Sequence, residues 1–282
     1  MFEFWSAALH YPLARNALLI GLLASVACGV VGTYVVTRRI SYIAAGIAHC
    51  VLAGLGAARY LTVVHGWTFL EPIYGALAAA LLAAAVIGWV SLHAREREDT
   101  AIGVVWAVGM AIGILFIYKT PGYNQDLMSY LFGNILLVST RDLWLTLALD
   151  VVILAATAMF YPELQAVCFD EEFARLRNLK VDFYYLLLLA LTAITVVMLA
   201  MVVGIVLVIA LLTLPAAIAG RFAGSLRQMM VLSCLICAVF TLGGLSISYG
   251  PDLPAGPTII LAAGAVYMLV LAAGFIRGRR GV

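Results

Sequence analysis

Charge is what this chain has least of. Only 11% of its 282 residues are Asp, Glu, Lys or Arg, against about 25% in soluble domains. An ordinary water-soluble globule is therefore excluded. Strict alternation of apolar and polar residues is also missing, which argues against a membrane β-barrel. The five cysteines are odd in number and sit mostly in apolar runs, so no disulfide framework is expected and they read as small hydrophobes. Neither H-E-x-x-H nor G-x-S-x-G occurs, and an intramembrane enzyme would need such a cluster. No basic region followed by an apolar core and a cleavage site is evident between Met1 and Asn16, so the first span is expected to target the chain. The net charge of +2 says little about partners, and no nucleic-acid partner is expected.

What is present is apolar length. Hydrophobic residues make up 65% of the chain and the mean hydropathy is +1.11. Nine candidate spans emerge, at about 14–37, 40–64, 71–92, 100–118, 142–161, 183–202, 203–220, 226–249 and 257–276, each near the ~20 residues a bilayer requires. The seventh is interrupted by Gly204 and Pro215. It reads as an ordinary kinked span or as a broken helix lining a pathway, so the full spans number eight or nine. The fold class is all-α: a polytopic membrane protein forming one transmembrane domain over residues 1–282.

The sparse cations are unevenly placed. Arg38, Arg39, Arg95, Arg97, Arg175, Arg177, Lys180, Arg221, Arg227, Arg277, Arg279 and Arg280 fall in one set of loops, and Arg15, Arg59, Lys119 and Arg141 in the other. Twelve against four places the amino terminus outside and the carboxyl terminus in the cytoplasm. Nine spans have the parity this needs. The stretch 126–140 is too short and too polar at its start for a span, and is expected as a short helix at the outer face.

Few polar residues lie deep in the apolar runs. His49 stands ten residues beyond Arg39, about 15 Å along a helix and so near mid-bilayer, where an ionisable residue marks function by default. Asp150 lies eight residues past Asp142, about 12 Å into its span. It is a candidate ligand, or it pairs with a neighbouring Arg or Ser. Cys50 points away from His49 and reads as packing. Cys234 and Cys237 form a C-x-x-C at helical spacing, read as two small buried residues. His10, His65 and Glu71 fall at the outer face, and His93 in a solvated turn. The tryptophans read mostly as an interfacial belt. The small residues of 75–80 and 83–85 allow close helix packing.

The longest inner connection runs over about 163–182. Its centre, Phe169-Asp170-Glu171-Glu172-Phe173-Ala174-Arg175-Leu176-Arg177-Asn178-Leu179-Lys180, has the pattern of a short amphipathic helix. Asp170 is a fitting N-cap, acids fill the first turn and bases the last. Phe169, Phe173, Leu176 and Leu179 share one face. By spacing alone, that face either docks into a partner's groove or lies on the bilayer or bundle.

Six pieces, in order, carry a resemblance over nearly the whole chain: GTYVVTRRISYIAAGIAHCVLAG (32–54), EDTAIGVVWAVGMAIGIL (98–115), YLFGNILLVS (130–139), FDEEFARLRNL (169–179), VGIVLVIALLTLPAAIAGR (203–221) and GPTIIL (256–261). Together they resemble the permease subunit of bacterial ABC importers for zinc, manganese and iron. The resemblance implies a permease of the bacterial inner membrane. It implies two copies forming a homodimeric pathway, a cytoplasmic ABC ATPase dimer driving it, and an extracytoplasmic metal-binding protein delivering the ion. It makes the inner helix the ATPase-coupling element, carried by Phe169, Asp170, Glu171, Phe173, Ala174 and Arg177, and it makes His49 a transit ligand for a divalent metal, zinc first and then manganese or iron. No cofactor is expected on the chain. No G-x-x-x-x-G-K-[ST] loop occurs, so ATP belongs to the partner and this chain is not itself an enzyme. Many members carry an aspartate four residues before this histidine; here that position is Ala45, which leaves the site weaker or differently built. The rival class is a gradient-driven secondary transporter of a small ion or solute. It predicts several intramembrane acids and an internal repeat, whereas Asp150 is the strong intramembrane acid and no persuasive repeat appears.

Overall fold

The computed structural model describes residues 4–5, 10–93, 98–121, 133, 135, 138–251 and 253–279. Among the described residues eleven helices follow one another: α1 (Pro12–Thr37), α2 (Ser41–His65), α3 (Pro72–His93), α4 (Glu98–Lys119), α5 (Thr140–Met159), α6 (Tyr161–Phe169), α7 (Glu171–Leu176), α8 (Val181–Val203), α9 (Ile205–Ala219), α10 (Leu226–Tyr249) and α11 (Ala255–Arg279). No strand occurs among the described residues. Eight of these helices are long and apolar enough to cross a membrane, and α9 is a shorter apolar helix of 15 residues. A helix satisfies its own backbone polar groups, which hydrocarbon cannot do; the long uncharged runs leave little alternative.

The ends are cut by local chemistry. Pro12 opens α1, where its missing N–H costs nothing. Ser139 and Asp142 form a reciprocal capping box at the start of α5, and Ser225 caps α10 by accepting from the Gln228 N–H. Of the stretch expected as a short outer helix, only Gly133, Ile135 and 138–140 lie within the described residues. The Arg95 and Arg97 turn and Arg280 lie outside them.

The helices pack in two groups. In one, α2 is held between α3 and α4; in the other, α1 packs on α9, α10 and α5, with α11 outside α9 and α10. The long, buried α8 touches members of both. The clamp on α2 depends on glycine. A Cβ on Gly54 would stand 2.0 Å from the Gly75 carbonyl oxygen of α3, and one on Gly113 of α4 would stand 2.6 Å from the Leu52 backbone. Backbones meet directly on both sides of α2, the helix that carries His49.

The interruption expected near Gly204 is present. Gly204 (φ +90°) ends α8 and begins α9, whereas Pro215 stays inside α9 and is buried. The opposing chain comes very close here, since a Cβ on Gly133 (φ +61°) would stand 2.3 Å from the Val203 carbonyl carbon.

Candidate functional site

The turn between α1 and α2 is three residues long. Arg38 and Arg39 donate backbone hydrogen bonds to Tyr34 and Val36 carbonyls, and Ile40 to that of Val35. Arg39 takes φ +62°, a left-handed conformation uncommon outside glycine. This tight reversal starts α2 in fixed register. His49 is its ninth residue, about 12 Å along the axis.

His49 is half-buried and lies flat on the indole of Trp106 in α4, with ring centroids 4.4 Å apart and planes 10° from parallel. The indole N–H donates to the Met110 thioether at 3.2 Å. Tyr42, near the start of α2, also approaches Trp106, with ring centroids 5.9 Å apart. An open groove of about 600 Å³ runs along this face, lined by Tyr42, Trp106, Met110 and the small residues Gly103, Ala107 and Ala111. Tyr42 also lines a second, polar cavity of about 340 Å³ with Arg38, Arg39, Ser91, Asp99 and Tyr185. A half-buried imidazole thus stands beside an aromatic and thioether strip that leads toward a polar mouth. Trp106 is the residue the belt pattern misplaces: it lies well inside α4, against the histidine. Its signal in the sequence is faint, a Trp and a Met four residues apart in a small-residue helix.

Ala45, one turn before His49, is buried at 9% exposure. Asp150 is also buried, but in other company. It packs from α5 beside Ala27 and Cys28 of α1 and Cys234 of α10, and neither carboxyl oxygen completes a hydrogen bond. The structure does not bring it together with His49. Cys28 and Cys237 share a thiol contact there, while Cys50 donates to the Val105 carbonyl at 3.0 Å within the clamp. Among the described residues no three of His, Cys, Asp and Glu converge as a metal site. At the opposite face Glu71 pairs with Arg141 at 3.0 Å and His65 packs edge-on to Tyr60. His93 stacks on Trp89.

The segment expected as one amphipathic helix is a helical prong in two pieces. Leu179, expected on the face of Phe169 and Phe173, instead packs inward on Val167, Ala174 and Val181, because the helix ends at Leu176 and Asn178 turns left-handed (φ +57°). α6 and α7 meet at Asp170, whose carboxylate accepts from the Phe173 N–H at 2.9 Å and caps α7. Ala174 is fully buried between Val167 and Val181, so α7 is seated by its smallest residue. Its large residues face outward: Phe169 is 64% exposed, Phe173 50% and Leu176 82%. The Arg177 guanidinium lies over the Phe173 ring at 5.5 Å. Glu171 points inward, pairing with both Arg38 and Arg175, and Arg175 also holds Asp182 at 2.8 Å. Burial pushes the Glu171 carboxyl up, but the two arginines overcome it and hold the group below its ordinary range. The stabilisation from this network is therefore complete above the usual glutamate pKa and is lost as pH falls through the lowered one.

These features define a multi-pass helical membrane permease. The sequence profile described as the ABC 3 transport family matches residues 10–274, and the chain belongs to that family. It is 43% identical over 272 residues to an uncharacterised membrane protein of Synechocystis, covering 96% of this chain and 94% of that one. It is 31% identical to the manganese import system permease protein ScaB of Streptococcus gordonii, covering 95% and 93%. Among solved structures, PsaBC from Streptococcus pneumoniae in complex with Fab is similar with a TM-score of 0.83 and 32% identity, covering 95% of this chain and 94% of that one.

Proposed function

We propose that this chain is the permease subunit of an ATP-driven importer that carries a divalent transition-metal ion across the bacterial inner membrane into the cytoplasm. One observation carries the reading: a half-buried imidazole, His49, stacked on Trp106, whose ring lines an open groove, on a helix clamped from both sides. A cation passing through needs a ligand that holds it briefly and lets go, and a single histidine is such a ligand. The streptococcal relative named for manganese import supports the cargo class.

The donors at hand favour zinc over manganese. Imidazole and thioether suit borderline and soft ions, whereas manganese prefers carboxylate oxygens, and Ala45 supplies none. A second copy of the chain covers the groove, so that two His49 rings face one route between the protomers. From His49 the ion moves past Tyr42 to the polar mouth, where Asp99 is the acid. The break at Gly204, with Pro215 beyond it, lets α8 and α9 move separately beside that route.

The arginine-rich face is the inner one by charge bias, which puts α7 where an ABC ATPase can grip it. Phe169, Phe173 and Leu176 are the apolar anchors, Asp170 fixes the start of α7, Ala174 seats it, and Arg177 braces Phe173. A metal-binding protein docks at the opposite face. Asp150 has no place on this route.

Uptake of zinc, manganese and iron in competition, into vesicles holding the permease with its ATPase and binding protein, tests the reading. Wild-type vesicles take up zinc ahead of manganese in an ATP-dependent way, and His49→Ala vesicles with intact complexes do not. Uptake by the His49→Ala complex at the wild-type rate would retire the assignment.

A further inference from the structure

Arg38 touches three parts of the molecule at once. Its backbone closes the end of α1. Its guanidinium pairs with Glu171 of α7 and lies 5.6 Å from the Tyr185 ring of α8. Its neighbour Arg39 makes the left-handed turn into α2. Neither partner of the Arg38–Glu171 pair is freely solvated, with side chains 24% and 30% exposed, so the pair is screened less than a surface ion pair. Meanwhile α2 packs backbone to backbone on α3 and α4 at glycines, its packing against α1 is slight, and α8 touches both α2 and α3. The α1–α2 turn is where a side chain of the prong itself reaches the helix that carries His49.

We propose that the Arg38–Glu171 pair is the link through which displacement of α7 reaches α2 and repositions His49. Arg38 is a positioning residue: it lines the polar mouth but offers the ion no acceptor atom, and its guanidinium is committed to Glu171. The proposal rests on the permease reading and adds the route by which ATPase motion arrives. A pull on α7 acts on Glu171, passes to the Arg38 guanidinium, and turns α2 about Arg39. Pairs of this kind couple distant elements when both partners belong to bodies with two arrangements.

The test uses the full complex in proteoliposomes, with nitroxide labels at Glu172 of α7 and Val108 of α4, both exposed. In the wild type, nucleotide changes the distance between the labels. Arg38→Ala keeps the ATPase bound and its basal hydrolysis intact, but abolishes that change and lowers zinc taken up per ATP by roughly ten-fold, within the usual range of coupling between sites. Arg38→Lys recovers part of the yield. The charge exchange Arg38→Glu with Glu171→Arg restores at least half of it. An Arg38→Ala complex with wild-type distance change and yield overturns the link, and so does an exchange that restores nothing while the complex stays assembled. A wild-type chain that binds no ATPase overturns the permease reading, and the link falls with it.

Discussion

His49 and Trp106 lie ring on ring, 4.4 Å apart, although 57 positions separate them in the chain. The stack holds the imidazole plane against the indole and so limits the directions its nitrogens can face. A ligand that must bind and release repeatedly gains from being aimed in advance.

Trp106→Ala should therefore lower zinc uptake without changing expression or assembly. Aromatic pairs contribute about 0.5–1.5 kcal/mol beyond area burial, so the expected loss in initial uptake rate is roughly two- to ten-fold. Trp106→Phe should recover most of it. An unchanged rate in the alanine variant would show that the stack aims nothing.

Ala45→Asp should rebuild the missing carboxylate on the His49 face, one helical turn away. A charged contact is worth roughly 1.5–3 kcal/mol, which is about ten- to hundred-fold in affinity. Metal should be held more tightly, released more slowly, and manganese should gain on zinc. Calorimetric titration of the purified variant, with uptake in competition, reads both effects.

Phe169→Ser with Phe173→Ser should weaken ATPase attachment. Anchor aromatics commonly carry about 2 kcal/mol or more, or roughly 30-fold in dissociation constant. Binding of the isolated ATPase to permease in nanodiscs measures it. Because Ala174 alone seats α7 in the core, the permease itself should keep its melting temperature.

Asp150→Asn should leave uptake at the wild-type rate. The carboxyl lies among α1, α5 and α10 with no completed hydrogen bond, and a buried polar group left without a partner costs stability. Thermal stability of the variant should equal or exceed that of the wild type. A marked loss of uptake would bring this acid back into the pathway.

Much of this was legible in the residues because it is local. Span positions follow from apolar run length, the α7 cap from Asp170, the shared face of Phe169 and Phe173 from helical spacing, and the break from Gly204. What was not legible joins distant positions. Nothing near Trp106 announces His49, and nothing near Glu171 announces Arg38, 133 residues away. Asp150 shows the limit most clearly: depth along a helix is written in the sequence, but the face it turns to is set by packing against α1 and α10.

The peptide joining Val203 to Gly204 has Gly133 resting on it. There is no room at Gly133 even for a methyl group, so the break between α8 and α9 is backed by bare backbone. A side chain at position 133 would have to wedge itself against the joint where those two helices meet.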